Sequence, residues 1–157
     1  MSQRSSLSSF CRVVMVAVCA ALPAQADAPL GQFTVSMVMV TDNKTGLTWQ
    51  KSEGPKLTWS NAKDYCAGLV LNTMTDWRLP TVKELVTLAD PGLTDPSIDT
   101  SVNGFPGTAG SDPPGSYFWS ATPFASSSPP AAWTVSLFEG GTNVGNVVNA
   151  WRVRCVR

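Results

Sequence analysis

The sequence predicts an α+β domain closed by one long-range disulfide, and three observations lead to this fold class. Segments rich in β-forming residues lie at both ends of the domain, within 33–50 and 117–155. Two helical patterns lie between them, within 59–89. Two cysteines connect the regions, Cys66 in the first helix and Cys155 in the last strand. Strands followed by helices and then by strands are typical of α+β domains and not of a βαβ series.

Residues 1–26 are predicted to be a secretory signal peptide. Two arginines precede an apolar run over 13–22, and residues 24–26 read Ala-Gln-Ala, the small-x-small form of a signal-peptidase site. The alternatives are a buried helix, a membrane anchor, or a lipid anchor on Cys19. The apolar run is short for a membrane span, and Val18 before Cys19 is bulky for a lipoprotein signal. We therefore expect cleavage after Ala26.

The remaining residues, 27–157, have the length of one domain. The full chain has 11 basic and 11 acidic residues, and the signal peptide carries two of the arginines, so the exported domain is slightly acidic. This balance argues against nucleic-acid binding. No second apolar stretch is long enough to cross a membrane. The absence of histidine excludes Ser-His-Asp and Cys-His catalysis and His-ligated metals.

The cysteines predict the disulfide. Cys11 and Cys19 lie in the signal peptide, which leaves Cys66 and Cys155 as an even pair in an exported chain. Helical spacing puts Cys66 on the inward face of its helix, and alternation puts Cys155 on the core face of its strand. The bridge would close a loop of about 90 residues, worth roughly 4–5 kcal/mol on the chain-entropy model. Two free buried thiols are the alternative, which an oxidising compartment disfavours.

The first half of the domain is predicted to be a hairpin followed by a helix. Residues 33–40 and 47–50 read as strands, and the sequence Asp-Asn-Lys-Thr-Gly at 42–46 reads as the turn between them. Thr58 is in position to cap a helix over 59–69, whose apolar residues recur at helical spacing.

A ten-residue stretch, 76–85, is predicted to fix the start of a second helix. Thr81 and Glu84 have the spacing of a capping box, and Pro80 keeps the preceding residue out of helical angles. The helix should run over 82–89, where Asp-Pro-Gly ends it. The structural motif that we assign comprises Asp76, Trp77, Arg78, Pro80, Thr81 and Glu84, with Arg78 paired to Asp76 or Glu84.

The second half is predicted to alternate loops and strands. Residues 90–115 are rich in Gly, Pro, Asp, Ser and Thr and form a long loop, a kind of segment that is usually functional or mobile. Strands are expected at 117–120 and 132–138, with Trp133, Val135 and Leu137 of the latter on one side.

The terminal segment, 151–155, should form the last strand. Arg152 and Arg154 alternate with apolar residues and so should lie on the opposite side of the strand from them. Arg157 adds a third arginine to this basic face. We expect these arginines to form a solvated or salt-bridged face. Binding of a sulfate or carboxylate is the alternative.

Three residues are candidates for ligand contact. The domain has six tryptophans, whose positions favour core packing, but Trp119 lies between two long loops and is the expected exception. Asp95 and Asp99, with Asp90, could supply oxygen ligands to calcium. They lack the pattern of an EF-hand loop, and Asp beside Pro and Gly more often forms turns, so we assign no metal or cofactor.

Six segments in this order resemble a known family. The segments are TDNKTGLTWQ (41–50), WSNAKDYC (59–66), DWRLPTVKEL (76–85), YFWSAT (117–122), AW (132–133) and VRCVR (153–157). On these segments the chain is similar, over about 40–157, to the bacterial family named after the C-terminal domain of the Legionella collagen-like protein, a domain of unknown function.

The resemblance implies a C-type-lectin-like fold in the branch shared with formylglycine-generating enzymes. That fold has a mixed sheet, two helices, long loops and a bridge from the first helix to the last strand. The oxidase chemistry of those enzymes uses two reactive cysteines that bind copper, whereas Cys66 and Cys155 are expected to be bridged. The Glu-Pro-Asn, Gln-Pro-Asp and Trp-Asn-Asp motifs of calcium-dependent lectins do not occur here.

We therefore predict an exported, non-catalytic binding module, either periplasmic or secreted to the cell surface, with a role such as adhesion. Its loop surface within 90–130, including Trp119, Asp95 and Asp99, would bind a glycan or a protein of the envelope or cell surface. One alternative is a structural or assembly component of the envelope. The other is an enzyme that relies on carboxylates such as Asp95 and Asp99.

Overall fold

The computed structural model describes residues 31–93, 95–101, 104–105 and 117–157, and this part of the chain has the predicted α+β fold. Residues 1–26, the predicted signal peptide, lie outside it. None of the described helices has the length and apolar character that crossing a membrane requires. The elements are β1 (Phe33–Val35), β2 (Met39–Asp42), β3 (Thr48–Gln50), α1 (Trp59–Ala67), α2 (Val82–Val86), β4 (Tyr117–Phe124), β5 (Ala131–Ser136) and β6 (Thr142–Asn146).

The first sheet has the order β1-β2-β3, and both of its pairs are antiparallel. The prediction of one strand over 33–40 is wrong, because the chain reverses at Ser36. The backbone N–H of Ser36 donates to Met39 O at 2.9 Å, and its hydroxyl accepts from the Met39 N–H at 3.0 Å. The predicted turn from β2 to β3 is confirmed. There the buried carboxylate of Asp42 accepts from the Lys44 N–H and the Thr45 hydroxyl.

The second sheet has the order β4-β5-β6 and is also antiparallel. Strands β4 and β5 were predicted, but β4 is longer than expected, and a register shift lies between Trp119 and Pro123. Strand β6 was not predicted. Its sequence, Thr-Asn-Val-Gly-Asn, contains few β-forming residues, and it is extended because it pairs along its length with β5.

The terminal segment, 151–157, joins the two sheets through isolated bridges instead of forming a regular strand. Trp49 of β3 pairs antiparallel with Val156, and Phe118 of β4 pairs parallel with Arg152. The described strands thus form two antiparallel sheets, which the terminal segment links by antiparallel and parallel bridges. The Phe118–Arg152 bridge is the one parallel pairing among the described residues. The likeness to C-type lectins itself stays a prediction.

Both helices begin where the sequence indicated and end earlier. The Thr81–Glu84 capping box at α2 is confirmed in both directions. Thr58 occupies the N-cap of α1, but its side chain makes no capping hydrogen bond. The predicted disulfide is confirmed, since Cys66 and Cys155 are bonded with their Cα atoms 5.5 Å apart, and both are fully buried.

The terminal arginines were predicted to form a solvated or salt-bridged face. Arg152 and Arg157 form salt bridges, with Glu53 and Asp76 respectively.

The core continues on both sides of the terminal segment, and the prediction is wrong for Arg154. Arg154 is completely buried. Its Nη1 donates to Gln50 O at 2.9 Å and to Lys51 O at 2.7 Å, and its guanidinium lies 4.7 Å from the ring centre of Phe105. These groups cover the side of the segment opposite Val153 and Cys155. Successive side chains of the segment therefore enter two different parts of the core. Burial lowers the pKa of Arg154 to about 10.

Candidate functional site

Trp119 is a core residue, which corrects its assignment as a ligand contact. Its side chain is completely buried, and the indole N–H donates to Leu57 O at 2.8 Å. Gly145 lies so close to the six-membered ring that a Cβ added there would be 2.8 Å from Cη2 of Trp119. The flanking loops therefore do not expose Trp119, and we remove it from the candidate site.

Two of the three acidic loop residues line one cavity, and the third does not. Asp90 and Asp99 line a cavity of about 250 Å³ near Phe33 and Lys44, whereas Asp95 is exposed and does not line it. The Oδ1 atoms of Asp90 and Asp99 each accept a backbone N–H two residues later, at 2.8 Å, as turn-forming aspartates do. Within the described residues no three His, Cys, Asp or Glu side chains converge on one point. Calcium binding stays a prediction.

The motif over 76–84 is structural in this geometry. Arg78 forms two hydrogen bonds with the carboxylate of Glu84, and this pairing lowers the pKa of Glu84 to about 2. Asp76 is bonded to Arg157 at 2.7 Å, and the Arg157 side chain lowers the pKa of Asp76. Pro80 is buried, and its carbonyl accepts the Ala121 N–H at 2.6 Å.

The same motif positions α2 against the second sheet. The Val82 N–H donates to the Thr122 hydroxyl at 3.0 Å, and Trp77, which is buried, donates its indole N–H to Met74 O. The helix is thereby fixed over β4 and β5, where Leu85 enters the core beside Phe118.

Trp133 is the tryptophan that remains available to a ligand. Three of the six donate their indole N–H to backbone carbonyls, and two others have a buried N–H. Trp133 is only partly buried, and within the described part of the chain its N–H is neither bonded nor enclosed. Its ring system packs against the ring of Phe124 in a T-shaped arrangement, with ring centres 5.4 Å apart and planes at 78°.

Trp133 lies in an open groove of about 390 Å³ between α2 and the second sheet. We call it the Trp133 groove, and its lining residues are Val82, Lys83, Val86, Trp133 and Thr142. The lining is mostly hydrocarbon. Val86, Phe124 and Val144, which lie in or near the groove, are each exposed to between 37% and 39%, so apolar surface continues past its edge.

Among the residues that the structure describes, Lys83 is the one charged residue that lines the groove. Among the described residues it makes no ion pair, because the neighbouring Glu84 is held by Arg78 on another side of the helix. The described lining of the groove is therefore an aromatic and aliphatic surface that carries the ammonium group of Lys83 and the hydroxyl group of Thr142.

Sequence reasoning named Trp133 but assigned it to the core. Alternation groups Trp133 with Val135 and Leu137, and no local signal in the sequence separates it from them. The structure leaves Trp133 partly open while Val135 and Leu137 are buried.

Comparison with known proteins bears out the family resemblance. Residues 38–157 match the family described as the Lcl C-terminal domain. No curated protein matches the chain. Since the match covers most of the chain and includes both helices, the disulfide and the terminal segment, this chain belongs to the Lcl C-terminal domain family.

Proposed function

We propose that this domain is a non-catalytic binding module and that it holds a protein partner in the Trp133 groove. The observation that carries the proposal is a partly open tryptophan with a free indole N–H in an apolar groove. Contiguous exposed apolar surface on a soluble domain usually marks an interaction site. Tryptophans at the centre of such surfaces often contribute much of the binding energy.

The chemistry of the lining favours a protein over a glycan. A bound sugar presents many hydroxyl groups, which need carboxylates, carboxamides or similar partners to orient them. The groove offers Lys83 and Thr142 as polar side chains beside Val82, Val86 and Trp133. Apolar side chains of a partner would fill this surface without leaving polar groups unpaired. The site thus differs in position from the loop surface that the sequence indicated.

The setting we propose is outside the cytoplasm, in the periplasm or at the cell surface. The signal-peptide pattern supports export, and the Cys66–Cys155 disulfide supports an oxidising compartment. The absence of histidine and the bridged state of both cysteines support a non-catalytic role.

A pair of matched substitutions tests the groove. Val86→Asp puts a charge into it, and Val148→Asp puts the same charge at a residue that does not line the groove and is 71% exposed. The purified protein and both variants, with folding checked by circular dichroism, are compared in pull-downs from envelope fractions and on a glycan array. We expect a protein partner to bind the wild type and Val148→Asp and to be lost with Val86→Asp.

Other results would change the proposal. Array binding that Val86→Asp abolishes would replace the protein partner by a glycan. A stable oligomer in light scattering that Val86→Asp dissociates would favour the assembly alternative. Equal behaviour of both aspartate variants in every assay would remove the groove as the site.

A further inference from the structure

Strand β6 is a free edge of the second sheet in the described part of the chain, because it pairs with β5 alone. The Ser136 N–H donates to Gly141 O at 2.8 Å. Since hydrogen-bonded and non-hydrogen-bonded pairs alternate along antiparallel strands, this bond shows which residues of β6 bond to β5. Counting from that pair, Asn143 and Gly145 direct their backbone groups toward β5. Thr142 and Val144 direct their N–H and C=O groups away from it.

The outward edge is exposed and only partly blocked. Thr142, Asn143 and Val144 are all exposed. The Val144 N–H donates to the side-chain Oδ1 of Asn143 at 2.7 Å, a local bond that satisfies one edge donor. The backbone groups of Thr142 and the carbonyl of Val144 have no partner among the described residues. An exposed edge of this kind is a template for another strand.

The Trp133 groove lies on one face of the second sheet, next to the free edge formed by β6. Trp133 and Val144 are directly opposite each other in a pair that does not exchange hydrogen bonds, so their side chains are close and point the same way. Thr142, two residues before Val144, lines the groove. A strand added beside β6 would therefore direct alternate side chains toward the groove.

We propose that β6 receives an extended peptide segment of a protein partner as a fourth strand of the second sheet. The inference rests on the proposed function and specifies its binding mode. The segment would be about five residues long, to match β6, with an apolar side chain in the groove. It would carry an acidic side chain facing Lys83, because that ammonium is the one charge of the groove and has no ion-pair partner in the described structure.

A second copy of this chain fits less well. Strand β6 contains no acidic residue, so a β6–β6 pair would not neutralise Lys83. It would instead bring two identical edges together, each with its own lysine nearby. Charge complementarity thus favours a different, acidic segment.

The test uses a phage-displayed library of random 12-residue peptides selected on the purified protein. We expect selected peptides to alternate apolar residues and to contain an acidic residue. Val144→Pro removes an N–H that points away from β5, so the hydrogen bonds between β5 and β6 are kept. This variant should bind peptide about tenfold more weakly. Asn143→Ala frees the Val144 N–H and should tighten binding about threefold. Lys83→Glu should weaken binding about tenfold. Bound peptide should slow hydrogen exchange at the Thr142 amide.

The outcomes separate the inference from the proposed function. One outcome is that Val86→Asp abolishes peptide binding, whereas Val144→Pro and Asn143→Ala leave the affinity unchanged and bound peptide does not slow exchange at the Thr142 amide. The groove would then bind peptide without strand addition, and the inference would fail while the proposed function stands. If Val86→Asp has no effect, both fail. Recovery of no binding peptide overturns the inference. Should Val144→Pro not fold, the gain from Asn143→Ala and the Thr142 protection decide the question.

Discussion

Arg78 holds both carboxylate oxygens of Glu84, with Nη1–Oε2 at 2.8 Å and Nη2–Oε1 at 2.7 Å. The same carboxylate accepts the backbone N–H and the hydroxyl of Thr81, which closes the capping box of α2. The backbone of Arg78 pairs in both directions with Val156 at 2.9 Å. Arg78 thus connects the start of the helix, through its side chain, to the terminal segment that joins the sheets, through its backbone.

Glu84 should make the protein less stable in acid. Its pKa is about 2 in the folded protein and near 4.5 in the unfolded chain, so the unfolded chain takes up the proton first as the pH falls. The contribution is complete above about pH 4.5 and is lost toward pH 2. The pair is partly exposed, so we expect about 1 kcal/mol instead of the full value of the shift.

Urea unfolding of the wild type and Glu84→Gln at several pH values measures this effect. The difference between the two free energies of unfolding should shrink as the pH falls from 4.5 to 2. Asp76, whose pKa is also lowered, is present in both proteins and cancels from the difference. A difference that does not vary with pH would contradict the prediction.

Removal of the disulfide should destabilise the domain strongly. Cys66 and Cys155 are 89 residues apart, so reduction releases a long loop in the unfolded chain. We expect the free energy of unfolding to fall by about 2–5 kcal/mol in the Cys66→Ala, Cys155→Ala double variant. The measurement is the urea midpoint with and without reductant. Reductant should not affect the double variant, and equal midpoints for wild type and variant would refute the expectation.

Gly145 should not tolerate a side chain. A Cβ there would lie 2.7 Å from Nε1 of Trp151 and 2.8 Å from Cη2 of Trp119, both ring atoms held in the core. We expect Gly145→Ala to cost about 1–3 kcal/mol through overpacking. Gly141→Ala is the matched control, since no atom lies within 4 Å of its Cβ position. Thermal unfolding of the two variants compares them, and equal melting temperatures would show that the rings move aside.

Substitution of Arg154 should lower the free energy of unfolding more than substitution of an exposed arginine. Arg154→Leu leaves the Gln50 and Lys51 carbonyls without this donor and removes the cation over Phe105. Burial raises the pKa of Glu53, and the substitution also removes one of the positive charges that oppose this rise. We expect a loss of about 3 kcal/mol. Arg78→Leu, at a half-exposed arginine, should cost about 1 kcal/mol. A smaller loss at Arg154 than at Arg78 would disprove the ranking.

The features that the sequence predicted correctly depend on neighbouring residues or on a single strong constraint. The capping box involves residues three apart, and the hairpin turn places its acceptor, Asp42, within three residues of its donors. The disulfide spans most of the domain, but only one pairing was left once the signal peptide was set aside.

The errors come from contacts between distant residues. Alternation correctly placed Val153 and Cys155 inward, but no local pattern shows that Phe105 and Phe118 cover the opposite side, where Arg154 lies. Trp119 is flanked by loops in sequence, yet α1 and the segment before it enclose its ring. Trp133 is partly open in the groove between α2 and the second sheet, and no local pattern shows where the helix lies on the sheet.

The terminal segment also determines when the domain can form. Arg157 and Thr48 exchange backbone hydrogen bonds at 2.9 and 3.0 Å, and Val156 pairs with both Trp49 and Arg78. A growing chain that has reached only residue 150 lacks every one of these pairings and the partner of Cys66. Without residues 151–157 the two sheets lack these links and the core lacks Arg154, Val153 and Val156, so the core can be completed only after this segment has been synthesised.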